Sequence, residues 1–462
     1  MNMSSPIPKL LYWTEKISSI WIIFGLALMV GVGSFVGGIY IELARCGAVF
    51  ALLLQITVEL RGRQKRFLTS PLFLLSVIGT TFFSVVQGIW INDKPWPLKN
   101  LDFTVFVGSQ AEAVILTFCM AALVMYSLSS RDLNFNQPFK ATIITKLPNY
   151  LILFLFSLAV SISIFNISIY SFKIYQVVIP SFIINLHFIV PPLLVLTLSM
   201  LIRSALHQGS IYKIILVLFS MIIIGGLVYT GEGKIAVFIL LSLIFYVFRL
   251  FDFSIRWLIL AGLISLMVVL ALFMVLQHTS WKSPEGGLTG ISYSNLLRGK
   301  GVLRQTETGY CLGNVLKTHS KEIFNISKQT FWIKGLIPRI LWKNKPSLSL
   351  GGNYAVNYCS KQPKYLGYHS ASITLLGQPL IQGGIIGLIL HGGILLLVLA
   401  AIERMNTNRT GISTAFVVAL LPWLIDFDQD FSMYVANAVK FSSVMIILYV
   451  PIVLIERRAC FN

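Results

Sequence analysis

Long apolar runs separated by short polar segments make up most of this chain. Runs of about 17 to 25 residues, each long enough to cross a bilayer as a helix, begin near positions 19, 41, 71, 107, 149, 178, 211, 235, 255, 379, 411 and 437. Helices satisfy their backbone hydrogen bonds internally, as a membrane interior requires. The pattern therefore predicts an all-α, polytopic membrane protein with about 12 transmembrane helices. Pro191 and Pro192 in the sixth run predict a kink or a break there.

The stretch between the ninth and tenth runs, residues 277–378, is too polar to span a membrane. It contains tryptophans and several tyrosines, whereas disordered tethers are poor in aromatic residues. We therefore expect a folded loop. The predicted organisation is nine transmembrane helices in residues 1–276, one large loop in residues 277–378, and three more transmembrane helices in residues 379–462.

Positive charge in the short connecting segments predicts the orientation of the chain. Basic residues cluster after every second apolar run, and basic loops normally face the cytoplasm. That side, with both chain termini, is therefore predicted to be cytoplasmic, and the large loop lies on the opposite side. The clusters are Arg61, Arg63, Lys65 and Arg66; Arg131, Lys140 and Lys146; Arg203 and Lys213; Arg249 and Arg256; Arg404 and Arg409; and Arg457 and Arg458.

The large loop is itself strongly basic, which membrane orientation does not explain. Its Lys and Arg residues outnumber its three glutamates, Glu285, Glu307 and Glu322, and they supply about half of the chain's formal net charge of +19. Because the positive-inside rule predicts little positive charge on this side, we expect the loop to bind an anionic ligand.

The composition excludes a soluble domain and several cofactor chemistries. Hydrophobic residues make up 56% of the chain and charged residues 11%. The sequence has neither a zinc-type histidine motif nor a nucleotide-binding glycine loop, so we expect no metal, no cofactor and no nucleic-acid partner. Cys311 and Cys359 share the large loop, but the five cysteines form no CxxC pair, which favours free thiols over a bond between these two.

Two motifs at the end of the loop resemble a known family. The first reads Ile-Pro-Arg-Ile-Leu-Trp-Lys-Asn-Lys-Pro over residues 337–346, and Gly-Gly-Asn-Tyr follows at 351–354. The second, residues 370–387, is rich in glycine and leads into the tenth run. Together with the hydropathy profile, these motifs resemble the O-antigen and oligosaccharide-repeat polymerases of the Wzy type. Gln378 stands where that family commonly has glutamate.

The resemblance implies a glycosyltransferase with a GT-C-like helical bundle in the bacterial inner membrane, and it makes the large loop periplasmic. Such a polymerase transfers the growing glycan from undecaprenyl pyrophosphate onto the sugar of an incoming lipid-linked repeat unit. Undecaprenyl-pyrophosphate-linked oligosaccharide is then both donor and acceptor. Membrane lipids and a chain-length regulator protein are the other expected partners.

A pyrophosphate leaving group needs fixed positive charges, and arginine binds phosphate oxygens through two parallel hydrogen bonds. We expect Arg298, Arg304, Arg339 and Lys234 to bind the pyrophosphate. Arg339 belongs to the first motif, and Lys234 lies where many members of the family have Gly-x-Arg. These cations would stabilise the leaving group without a metal ion.

The acceptor hydroxyl is a better nucleophile when a base removes its proton. We expect His369, which lies nearest the motifs, or Glu307 to serve as that base. Other titratable residues predicted on the same side are His319 and the cluster of Asp426, Asp428 and Asp430.

Two other activities fit the same layout. An O-antigen ligase would use the same donor with the lipid A core as acceptor. A flippase for the lipid-linked oligosaccharide would also have about twelve helices and a basic interior, but flippases usually concentrate their charges inside the helical bundle. Because the charge of this chain lies in a large loop, the sequence favours the enzyme.

Overall fold

The computed structural model describes most of the apolar runs and part of the large loop. The described residues are 7–36, 39–61, 66–81, 105–129, 149–174, 189–208, 215–217, 220, 224, 233–250, 303–321, 331–337, 342, 344, 351–359, 373–406 and 412–461. Helix dominates these residues, and no strand occurs among them. The prediction of an all-α protein is confirmed for this part of the chain.

Six of the described helices begin within two residues of a predicted start, and four others begin five to twelve residues from one. The run predicted near residue 255 lies outside the described residues. Two helices begin at the predicted positions, Pro71 and Asn149. Ser70 explains the start of the helix at Pro71, because its hydroxyl accepts a hydrogen bond from Phe73 N at 3.2 Å and a proline follows it. The helices are α1 (Ile7–Val36), α2 (Ile39–Arg61), α3 (Pro71–Ile78), α4 (Val105–Ser129), α5 (Asn149–Ile174), α6 (Val190–Gln208), α7 (Gly233–Leu250), α8 (Leu303–His319), α9 (Phe331–Leu336), α10 (Gly351–Tyr358), α11 (Thr374–Met405), α12 (Ile412–Leu424) and α13 (Phe431–Phe461), and a short 3₁₀ helix (Arg66–Thr69) precedes α3.

The chain divides into two compact units. The first comprises Met1–Leu133, Ile291–Arg404 and Trp423–Val439, and the second comprises Asn134–Gly290, Met405–Pro422 and Lys440–Asn462.

In the first unit, α4 is the central packing element. α1 packs against α2 and α4, and both α3 and α8 also contact α4. The core includes Ile115 and Leu116 of α4 and Leu72 of α3, all fully buried. Arg66 and Glu403 form a buried ion pair in this unit, as a low-dielectric interior favours: Arg66 Nε lies 3.0 Å from Glu403 Oε1, and the Arg66 guanidinium also donates to the Glu403 carbonyl at the end of α11.

In the second unit, α6 packs against both α5 and α7. Pro191 and Pro192 occupy the first turn of α6, where a missing N–H costs no helical hydrogen bond. The described helix therefore begins at the position where the prolines predict a kink or a break. Arg249 Nη2 donates to the Asn406 carbonyl at 2.7 Å, so this buried arginine too has a partner.

The apolar helices are those of a membrane protein. Among the described residues, three segments are long and apolar enough to cross a bilayer: Glu42–Leu60, Gln110–Ser129 and Thr374–Met405. Seven shorter apolar helices accompany them. Large apolar side chains such as Ile389 and Leu397 of α11 are exposed on the protein surface, as lipid-facing residues are. The count of twelve spans stays a prediction.

Helices α8, α9 and α10 lie within the predicted large loop. α8 packs against α10 as well as against α4, and a disulfide joins Cys311 of α8 to Cys359 just after α10, with a Cα–Cα distance of 4.8 Å. The expectation of two free thiols is therefore wrong. The pairing follows from the packing of α8 against α10, which brings together two cysteines 48 positions apart, and local cysteine spacing does not encode that packing.

Candidate functional site

α11 carries the main backbone irregularities of the first unit. Its regular geometry breaks at Gly383 and Gly384, and Gly384 adopts φ 60° and ψ −152°, which favours glycine. Thr374, the first residue of the helix, also has a positive φ of 68°. A β-branched residue in this region is a genuine outlier, and such strain often lies at functional sites. Non-helical backbone at membrane depth is tolerated where protein buries it or where it lines a cavity.

The short first part of α11 meets the start of α13. Leu375 N donates to Phe427 O at 3.2 Å, and the Gln378 side-chain carbonyl accepts a 2.8 Å hydrogen bond from Ser432 N. Gly377 permits the tight turn, because a Cβ on this residue would lie 2.6 Å from the Cβ of Ile373. The amino ends of two helices therefore converge on the turn formed by residues 425–430.

Three buried polar atoms at this junction have no hydrogen-bond partner among the described residues. They are Gln378 Nε2, Asp430 Oδ1 and Ser432 Oγ. Gln378 is 1% exposed, Ser432 is 0% exposed and Asp430 is 9% exposed. Buried polar groups in folded proteins are nearly always hydrogen-bonded, so three such atoms at one junction make it a candidate site for a polar ligand.

The carboxyl group at this junction is electrostatically unusual. Burial, reinforced by the negative charge of Asp428, raises the pKa of Asp430 to about 7. The charge of Asp430 also acts on Tyr354 of α10, since burial followed by that charge raises the pKa of the Tyr354 phenol. Asp430 therefore changes protonation state close to neutral pH, while Tyr354 remains a neutral hydroxyl.

Three contacts hold α10, and with it Tyr354, in place. The Cys311–Cys359 disulfide ties the end of α10 to α8. Asn314 Nδ2 donates to Tyr358 O at 2.8 Å, and His319 Nε2 lies 2.7 Å from the Tyr358 hydroxyl. His319, a candidate base on sequence grounds, thus has a structural contact that positions α10.

An aromatic group adjoins the junction on the side of α11. His391 is buried, and its Nδ1 lies 2.8 Å from Gly387 O in the same helix. The imidazole packs edge-on against Phe431 at 5.2 Å and against Trp332 of α9 at 6.5 Å between ring centroids. This group closes the polar junction with apolar rings.

The six residues expected to bind pyrophosphate or to act as base are only partly placed. Arg298, Arg339 and His369 lie outside the described residues. Arg304 and Glu307 are in the first turns of α8, and Lys234 is at the start of α7 in the second unit. Their convergence on one pyrophosphate stays a prediction.

The aspartate cluster is placed, and its three members are not equivalent. Asp426 is buried and accepts a 2.6 Å hydrogen bond from Gln429 Nε2. Asp428 is half-buried, and Asp430 is buried at the junction. No group of three or more His, Cys, Asp or Glu within the described ranges is arranged to hold a metal ion.

Gln378 and Tyr354 are site residues that sequence reasoning did not assign. Gln378 was identifiable by position, since it stands where the resembled family commonly has glutamate. Tyr354 belongs to the Gly-Gly-Asn-Tyr motif, but its approach to Asp430 depends on a disulfide and on helix packing. Neither the disulfide nor the helix packing leaves a local pattern in the sequence.

Comparison with known proteins identifies no related protein. No family model matches this sequence, and no curated protein or solved structure is significantly similar to it.

Proposed function

We propose that this protein is a polymerase of undecaprenyl-pyrophosphate-linked oligosaccharide repeat units. It acts at the outer face of the bacterial inner membrane and transfers the growing glycan from its lipid pyrophosphate onto an incoming lipid-linked repeat unit. The product is an O-antigen or a similar surface polysaccharide. The motifs at residues 337–346 and 370–387 support the choice of substrate class.

The observation that carries the proposal is the buried polar junction between the start of α11 and the turn that precedes α13. The first part of α11, Thr374–Gly383, brings Gln378 next to the start of α13, and Asp430 is buried beside it with a near-neutral pKa. A membrane protein retains buried polar groups mainly where it handles a polar substrate. Sugar hydroxyls held at the membrane surface by a lipid carrier are such a substrate.

The disulfide supports the orientation of the proposed enzyme. Disulfides form and persist in oxidising compartments such as the bacterial periplasm and are rare in the cytosol. Cys311 and Cys359 both belong to the large basic loop. Their bond agrees with a periplasmic loop, and hence with the cytoplasmic termini that the charge pattern predicts.

In this proposal, the basic residues of the loop bind the donor. Arg298, Arg304 and Arg339, with Lys234 as a further candidate, neutralise the pyrophosphate as it leaves. Arginine is suited to this task because its planar guanidinium pairs with two phosphate oxygens. The chemistry then requires neither a metal ion nor a nucleotide.

Gel analysis of lipopolysaccharide from a deletion strain tests the activity. Loss of a polymerase leaves the core bearing one repeat unit, loss of a ligase leaves bare core with polymer still on the lipid carrier, and loss of a flippase leaves neither product. We expect the first pattern, and either of the others would refute the proposal. Complementation with Arg339→Ala should not restore the polymer ladder, whereas the matched variant Lys317→Ala, a change at an exposed position of α8, should restore it.

A further inference from the structure

We propose that Asp430, Gln378 and Ser432 form the pocket for the acceptor sugar hydroxyl, and that Asp430 is the general base that removes its proton. This inference rests on the proposed function and identifies the acceptor side of the same reaction. It differs from the sequence-based expectation, which assigned the base to His369 or Glu307.

The hydrogen-bonding capacity of the pocket fits a hydroxyl group. A sugar O–H donates one hydrogen bond and accepts others. Asp430 Oδ1 can accept from it, while Gln378 Nε2 can donate to its oxygen or to that of a neighbouring hydroxyl. Both atoms are buried and have no hydrogen-bond partner among the described residues. Ser432 Oγ, which can donate or accept, completes the set.

The pocket is rigidly built. The Gln378 amide is oriented by its own carbonyl, which accepts from Ser432 N at 2.8 Å. Asp430 is fixed at the start of α13, where its backbone carbonyl accepts from Tyr434 N at 2.9 Å. The amide and the carboxylate therefore belong to two segments that are hydrogen-bonded to each other, which limits their relative movement.

The same groups suit a hydroxyl better than the pyrophosphate. Asp426, Asp428 and Asp430 lie within one short turn, so negative charge is concentrated there. An anionic phosphate would be repelled by that charge. The donor pyrophosphate is expected at the cations of the basic loop. Donor binding and acceptor binding are thus assigned to different side chains.

The titratable groups around Asp430 determine how the pocket responds to pH. Asp428 and Asp426 belong to the same turn, the charge of Asp430 acts on Tyr354 of α10, and His391 of α11 packs on the adjacent Phe431. Burial and the charge of Asp428 both disfavour ionisation of Asp430. An ionised Asp430 in such surroundings is a stronger base than an exposed aspartate, as acceptor activation requires.

The reaction balances without another reagent. The acceptor oxygen attacks the anomeric carbon of the donor sugar, and its proton passes to the Asp430 carboxylate. The bond between the anomeric carbon and the pyrophosphate oxygen breaks, and its electron pair leaves with undecaprenyl pyrophosphate. Asp430 then releases the proton to solvent before the next cycle.

The test uses the purified full-length protein in liposomes, with purified undecaprenyl-pyrophosphate-linked repeat unit as substrate and polymer length as readout. For the wild type we expect a plot of kcat against pH to have an ascending limb near pH 7, because only ionised Asp430 is active. Asp430→Asn should lower kcat about 100-fold or more, the usual contribution of a general base, and should lose this limb.

Asp428→Asn is the matched control in the same turn. It should retain the wild-type plateau and move the limb to lower pH, because one of the two causes of the raised pKa is removed. Gln378→Ala should raise KM about 10-fold, as expected for one lost hydrogen bond, and should leave the pH limb in place.

The outcomes separate this inference from the proposed function. A wild-type protein that makes no polymer refutes the proposed function. A wild-type protein that polymerises while Asp430→Asn keeps both the rate and the pH limb refutes the assignment of Asp430 alone. A thermal unfolding transition for Asp430→Asn at least as high as that of the wild type at pH 8 excludes misfolding as the cause of its lost activity.

Discussion

Removal of the charge of Asp430 should stabilise the protein above neutral pH. Burial and the neighbouring Asp428 raise its pKa from the ordinary 3.8 to about 7 in the folded state. The folded protein therefore holds a proton there more tightly than the unfolded chain does. The stability that this protonation provides is fully present below about pH 4 and is lost as the pH rises through about 7.

The size of this effect follows from the two pKa values. Each pH unit between 3.8 and about 7 corresponds to about 1.4 kcal/mol. Ionised Asp430, which is only 9% exposed, thus destabilises the fold by up to about 4 kcal/mol above pH 7. Asp430→Asn has nearly the same shape and cannot ionise, so it avoids this cost.

Thermal unfolding in detergent, followed by circular dichroism at pH 4 and at pH 8, measures the effect. We expect the two proteins to differ little at pH 4, close to the ordinary pKa of 3.8, and the Asp430→Asn variant to unfold at a higher temperature at pH 8. A variant that is less stable than the wild type by the same amount at both pH values would refute the reasoning, because it would mean that the carboxylate is ionised and well paired. A variant that is more stable but less active is typical of the replacement of a functional group that destabilises the folded protein.

Two further predictions concern the first unit. Replacing Cys311 and Cys359 by serine should lower the free energy of unfolding by about 2 to 4 kcal/mol, since the bond closes a loop of 48 residues, and chemical denaturation with and without reductant should give the same loss. Gly79→Ala should destabilise the protein by about 1 to 3 kcal/mol, because the new Cβ would lie 2.2 Å from the buried Cys119 sulfur. Gly25→Ala, where no atom lies within 4 Å of the new Cβ, is its control and should be nearly neutral in the same thermal unfolding assay.

Local patterns predicted the starts of several helices. The Ser-Pro pair at 70–71 begins α3 where the apolar run begins, and Pro191 lies in the first turn of α6. α11 begins at Thr374 rather than near residue 379, because the buried residues Leu375 and Leu376 extend the apolar surface upstream. Starts that a cap or a proline marks could be read from short-range sequence, whereas starts that depend on tertiary packing could not.

The candidate site was less predictable, because contacts between distant parts of the chain create it. Asp430 was one of three aspartates in a cluster, and nothing in the sequence distinguished it from Asp428. Burial distinguishes the two, and it occurs where the start of α11 meets the start of α13, which the hydrogen bond between Gln378 and Ser432 joins across 54 positions. The Cys311–Cys359 bond is of the same kind, since helix packing rather than spacing brings the thiols together.

That disulfide also bears on when a newly made molecule becomes active. α10 carries Tyr354 towards Asp430, and its end is tied to α8 by a bond between residues on either side of a 48-residue interval. If the loop is exported as we propose, this bond can form only after the whole segment has crossed the membrane and met an oxidant. The acceptor pocket would then be assembled only after the loop has crossed the membrane, and a chain whose loop has not crossed would be unable to consume lipid-linked sugars.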